Sequence, residues 1–124
     1  MQAQRGVAMK AATRAKLHLL NNYKAGDFTQ SFVLGYATVC LGIRRDALFI
    51  ATIHVDKTQR GEGHGSKALK VVLETCDKYG CACSLEVRPF DGNRSENRLR
   101  RWYESHGFYP TRGRYMKRQP RRVK

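Results

Sequence analysis

With 124 residues, of which 41% are hydrophobic and 27% charged, the chain is expected to form one globular domain over residues 1–124, with no room for a separate cofactor domain. No apolar run reaches membrane-spanning length, so no membrane partner is expected. The 24 Lys and Arg against 10 Asp and Glu give a formal net charge of +14, which favours an anionic partner.

The chain opens with five cations before its first acid, Asp27: Arg5, Lys10, Arg14, Lys16 and Lys24. That pattern also describes a transit peptide, so residues 1–9 read either as a targeting segment or as part of the fold. Residues 8–22 place Ala8, Ala11, Ala12, Ala15, Leu19 and Leu20 at a period near 3.6, which predicts a helix ended by Asn21, Asn22 and Gly26. From Phe28 to Ile43 the residues become β-prone, with Gly35 as a candidate bulge, and after the polar break Arg44–Asp46 the run Ala47 to Val55 is again strand-like. One helix and an antiparallel meander are therefore expected in the first half.

A glycine-rich turn, Arg60-Gly61-Glu62-Gly63-His64-Gly65-Ser66, separates that strand from the next helical pattern. Ala68, Leu69, Val72, Leu73, Cys76 and Tyr79 form one apolar stripe, stopped at Gly80. Cys83, Leu85 and Val87 alternate with Ser84, Glu86 and Arg88 as a strand that Pro89 ends. A polar loop through Asp91, Gly92 and Asn93 leads to a helix capped by Ser95 or Asn97, on which Leu99, Trp102 and Tyr103 share a face before Gly107. Residues 108–117 supply one or two short strands, and 118–124 form a basic tail. The order predicts an α+β fold, an α/β sandwich-like arrangement of sheet and helices.

Three glycines in five residues let a backbone come close to a ligand, and the first N–H groups of the following helix have no partner within it. The turn is thus an anion cradle. It is not a phosphate loop of the G-x-x-x-x-G-K-[ST] kind, because Lys67 follows Ser66 instead of preceding it. A dinucleotide fingerprint fits poorly as well, since Asp56 to Glu62 separate Gly63 from the strand. Four cysteines, Cys40, Cys76, Cys81 and Cys83, show no disulfide or zinc spacing, so buried thiols in a reducing cytoplasm are expected and no metal site.

The segment Arg60-Gly61-Glu62-Gly63-His64-Gly65, preceded by Ile53-His54-Val55-Asp56, resembles the R/Q-x-x-G-x-G/A acyl-CoA motif of the GNAT superfamily of N-acyltransferases. About forty residues on, Trp102-Tyr103-Glu104-Ser105-His106-Gly107-Phe108-Tyr109 resembles that family's second signature, and together they cover residues 47 to about 117. The resemblance implies a mixed, mostly antiparallel sheet with splayed central strands and helices on both faces. It implies that the backbone at Ile53 and Val55 pairs with the pantetheine arm of acetyl-CoA, and that Arg60, Gly61, Gly63, His64, Gly65 and Ser66 form the pyrophosphate site. It also implies that Tyr103 is the acid for the departing thiolate, with an oxyanion donor on the strand near Ile53 to Val55.

The general base is not marked. The preceding strand has no carboxylate, which leaves His54, or Glu86 on the next strand. Glu96 stands where the family commonly has an asparagine that contacts coenzyme A. The first half is also shorter than the family pattern, which implies a large, surface-docked acceptor or a homodimer that completes the site. The expected function is transfer of an acetyl group from acetyl-CoA to a primary amine of an acidic or nucleic-acid-linked acceptor, as in family members that act on aminoacylated tRNA. The alternative is a non-catalytic binding module whose tail, Arg112, Arg114, Lys117, Arg118, Arg121 and Arg122, grips nucleic acid or an acidic protein.

Overall fold

A computed structural model describes residues 10–88 and 96–122. The basic opening before Lys10, the capping residue Ser95 and the loop at Asp91–Asn93 lie outside the described residues. The first helix, α1 (Ala11–Asn22), buries Ala12, Ala15 and Leu19 on one stripe. The β-prone run after it divides into β1 (Lys24–Ala25), β2 (Ser31–Leu34) and β3 (Ala37–Arg44), followed by β4 (Ala47–Val55). Then come a 3-10 turn (Lys57–Gln59), α2 (His64–Tyr79), β5 (Cys83–Glu86), α3 (Glu96–Glu104), β6 (Tyr109–Pro110) and β7 (Tyr115–Arg118).

The described strands form one sheet in the order β1-β2-β3-β4-β5-β7-β6. All neighbours are antiparallel except β4 and β5, which the crossover through α2 makes parallel. This is the mixed, mostly antiparallel sheet that the resemblance implies. Alternation along the strands puts Ala37, Val39, Leu41, Leu48, Ile50, Cys83, Leu85 and Met116 on one buried face. There α1 and α2 lie side by side, and Leu19, Leu69, Val72 and Cys76 complete a single core cluster. Each fully buried Leu or Ile contributes roughly 1.5–3 kcal/mol relative to exposure.

Gly35 does not form a bulge. With φ of 60° it sits in the turn between Leu34 and Ala37, so the β-prone run becomes a hairpin. The bulge lies one strand further on: Cys40 pairs with Thr52 but Leu41 pairs with Ile50, which leaves Ala51 as the extra residue on β4. An inserted residue bends and twists its strand. Beyond this point β4 parts from β5, whose ladder runs Leu48↔Cys83, Phe49↔Ser84, Ile50↔Leu85 and ends there. That divergence opens the centre of the sheet.

Candidate active site

The gap where β4 leaves β5 continues into a cavity of about 550 Å³. Its sides are the backbone and side chains of β4 from Ile50 to Ile53 and Val55, the end of β5 at Leu85 and Glu86, the glycine turn, and α3 at Leu99, Trp102 and Tyr103. Every cofactor-binding residue named from the sequence lines it: Ile53, Val55, Arg60, Gly61, Gly63, His64, Gly65 and Ser66. Tyr103 lines it too. Residues 53 and 103, fifty positions apart in the chain, line the same cavity.

The turn is shaped for an anion. Gly61 and Gly63 have φ of 84° and 83°, a left-handed conformation that strains any side-chain-bearing residue, and a Cβ at either would meet no atom within 4 Å. Gly63 is the N-cap of α2 and its carbonyl takes the first helical bond, from Lys67 N at 3.0 Å, but no side chain caps the helix. The amides of His64, Gly65 and Ser66 therefore begin the helix facing a cleft instead of a capping oxygen, at the positive end of its dipole. Arg60 braces this loop: its Nε donates to the Val55 carbonyl at 3.1 Å, tying the turn back to the strand it left. His64 rests against Tyr36 of the β2–β3 turn, with ring centroids 5.0 Å apart.

On the opposite wall Tyr103 is half-buried, flanked by Trp102 at 4.8 Å and Phe108 at 5.7 Å between ring centroids. Trp102 in turn donates from Nε1 to Ser66 Oγ at 3.0 Å, so α3 is hydrogen-bonded to the start of α2. In the sequence Trp102 reads as part of a helical face and of the second family signature, with nothing that ties it to Ser66. Its position directly before Tyr103, as the one tryptophan of the chain, was the available signal.

His54 is not among the residues that line the cavity. It pairs with Thr38 across β3, on the opposite side of β4 from Ile53 and Val55, which pair with the buried Val39 and Ala37. The carboxylate at the cavity is Glu86, held by Arg88 through Oε1 at 2.7 Å. Glu96, at the family's asparagine position, is engaged by Arg100 at 2.9 Å and Arg114 at 3.3 Å. Among the described residues, no group of three His, Cys, Asp or Glu is placed to hold a metal ion.

The C-terminal cations are only partly a solvent-exposed grip. Arg118 is 4% exposed and forms a two-point pair with Asp77 of α2, at 2.8 and 3.1 Å, while its Nε donates to the His106 carbonyl at 3.1 Å. The Arg121 amide adds a third bond to Asp77 at 2.8 Å. Burial works to raise the Asp77 pKa, but these donors and the nearby cationic charge outweigh it and hold the carboxyl below its ordinary value. Burial, with the Arg118 charge behind it, lowers His106. Cys76 and Cys81 lie next to each other as free thiols. The Cys81 thiol donates to Cys76, and this bond with burial raises Cys81; the same bond acts to lower Cys76, but the contact with Cys83 and burial outweigh it and raise that thiol too.

Residues 11–108 match the acetyltransferase (GNAT) family. Among solved structures, the chain is similar to the anti-CRISPR protein AcrVA5, with 25% identity and a TM-score of 0.60 over 70% of this chain and 94% of that one. It shares its fold with Ard1 from Thermoplasma volcanium, at 16% identity and a TM-score of 0.57, covering 92% of this chain and 95% of that one. The same holds for Naa50 of Arabidopsis thaliana in complex with the bisubstrate analogue CoA-Ac-MVNAL, at 21% identity and a TM-score of 0.53, covering 68% and 65%. No curated protein matches by sequence. The match over most of the chain, together with the splayed sheet and its glycine cradle, shows that this protein belongs to the GNAT family of acetyltransferases.

Proposed function

We propose that the protein is an N-acetyltransferase that moves an acetyl group from acetyl-CoA to a primary amine. The observation that carries this is the shared cavity: the uncapped N-terminus of α2 and Tyr103 line one space at the break in the sheet. The residues present suit the ligand. Gly61 and Gly63 leave open room above a row of amides, and a recess of about 430 Å³ adjoins at Ser66, lined by Lys67, Lys70 and Arg121 and also by Glu74 and Asp77. The apolar strip Ile53, Val55 and Leu85 suits the arm between phosphate and thioester.

When bound, acetyl-CoA supplies an acyl group already activated as a thioester. The chain supplies the rest. The amides of the α2 first turn and Ser66 hold the pyrophosphate, and the β4 backbone near Ile53 to Val55 offers N–H groups to the oxyanion. Glu86 receives the amine proton, directly or through water, and replaces His54 as the base we favour because it lines the cavity. Tyr103 holds the proton that the departing sulfur takes. The net charge of +14 supports an acidic or nucleic-acid-linked acceptor, and four free thiols support a cytoplasmic setting.

The test is calorimetric titration of the purified chain with acetyl-CoA, followed by incubation of chain, labelled acetyl-CoA and cell extract. Saturable binding and one labelled amine-bearing acceptor are expected. Absence of heat at millimolar acetyl-CoA would remove the enzyme reading and leave a basic binding module.

A further inference from the structure

We propose that Trp102 is a positioning residue for the phosphate cradle: its indole N–H fixes the Ser66 hydroxyl as a donor to the bound anion. The inference rests on the acyl-CoA reading above and assigns a task within it that packing alone does not require.

The chemistry follows from what each group is able to do. An indole N–H only donates, so in the 3.0 Å contact Trp102 Nε1 is the donor and Ser66 Oγ the acceptor. Ser66 has a single hydroxyl proton. With its oxygen receiving the indole, that proton is turned away from Trp102, on a residue that lines the cavity in the first turn of α2. The hydroxyl then stands beside the first-turn amides as another donor, and accepting one hydrogen bond strengthens the one it gives. Without Trp102 the hydroxyl is free to rotate and to spend its proton on a backbone carbonyl.

The ring is placed to do this and little else could take over. A Cβ on Gly65 would meet the Trp102 ring carbons at 3.9 Å, so the indole already lies against the cradle backbone. Its other ring neighbours are Tyr103 at 4.8 Å, beside it on α3, and His106 at 5.6 Å, in the turn that follows. A phenylalanine would fill much of the same space and keep the contact with Tyr103, but it has no N–H. The bond spans 36 residues of sequence and joins the second family signature to the first.

The probe is coenzyme A, titrated calorimetrically into the full chain as wild type, Ser66→Ala, Ser66→Thr, Trp102→Phe and the Ser66→Ala/Trp102→Phe double variant. Ser66→Ala is expected to weaken binding about tenfold and Trp102→Phe about fivefold, the scale of one hydrogen bond to an anion. Because Trp102 acts through Ser66, the double variant should bind no more weakly than Ser66→Ala alone. Ser66→Thr, which keeps the hydroxyl, should stay within about twofold of wild type. Coenzyme A should also change the emission of the single tryptophan in wild type, and change it less in Ser66→Ala, a readout that survives if Trp102→Phe fails to fold. Wild-type affinity in Trp102→Phe, a double variant that loses the product of the two single effects, or emission unmoved at saturation would each overturn the proposal while leaving the acyl-CoA reading intact. No binding by wild type would overturn both.

Discussion

The two ends of α2 are built from similar parts and treat them in opposite ways. At its start, left-handed Gly63 leaves the first-turn amides without a side-chain cap, facing a cavity. At its end, left-handed Gly80 closes the helix through bonds from its own amide to the Asp77 and Cys76 carbonyls, and the Cys81 amide adds a further bond to the Cys76 carbonyl. Asp77, in the last turn, is saturated by Arg118 and the Arg121 amide. Buried or half-buried polar groups are normally partnered, so donors left over at one end mark where a ligand belongs, and a carboxylate fully bonded at the other marks where the fold is fastened. On the proposed reading, ligand binding and fastening are thus separated along one helix of sixteen residues.

The largest effect expected on that separation is chemical. Tyr103→Phe should lower turnover about 10²–10⁴-fold, the usual worth of a positioned acid, while leaving coenzyme A affinity and melting temperature nearly unchanged. Turnover that survives the substitution would return Tyr103 to the core role that its contacts with Trp102 and Phe108 also allow. The matching blow at the closed end is Arg118→Ala. Asp77 would keep its charge in a site where its side chain is only 16% exposed, and breaking such a pair costs about 3–5 kcal/mol. Chemical denaturation should show that loss. If coenzyme A affinity fell as far as stability, the two ends would not be independent.

Gly63 and Gly80 allow a closer comparison, because both have positive φ, 83° and 72°, and both have open space where a Cβ would go. Alanine at either should cost about 1–2 kcal/mol of stability through backbone strain. Only Gly63→Ala should also weaken coenzyme A binding, since its new methyl would stand in the cradle. Equal affinities for the two variants, measured by the same titration, would place the anion elsewhere.

Much of this arrangement was legible in the sequence because it is local. The apolar stripe from Ala68 to Tyr79, the alternation from Cys83 to Arg88 and the spacing of Gly61, Gly63 and Gly65 each report on their own few residues, and each became the expected element. What was not legible depends on pairing between distant segments. The Ala51 bulge exists only relative to the register of β3, so composition put the irregularity at Gly35, where φ is positive but the chain simply turns. Arg118 reads as one cation in a basic tail until β7 lays it over the end of α2. In the sequence His54 stands ahead of Glu86 as the base, and only the parting of β4 from β5 brings Glu86 to the cavity and leaves His54 beside Thr38.

The smallest expected effect, and the one that reads the closed end alone, is the response to acid. Asp77 titrates below its ordinary 3.8 in the folded chain, so between that lower value and 3.8 the unfolded chain binds a proton that the folded chain does not. Its contribution is complete above the ordinary value and is lost as pH falls through the folded one. His106 has the same sign by another route: it is held below 6.5 in the fold, first by burial and then by the Arg118 charge, so the unfolded chain takes up its proton first. Stability should therefore begin to fall as pH drops below about 6.5, and fall again below about 4. Thermal melts from pH 8 to pH 3 should resolve the two descents, with His106→Gln removing the upper and Asp77→Asn the lower. A melting temperature that is flat from pH 7 to pH 5 would show that neither burial nor the guanidinium holds His106 down in the fold, and that the fastening at this end of α2 is confined to Asp77.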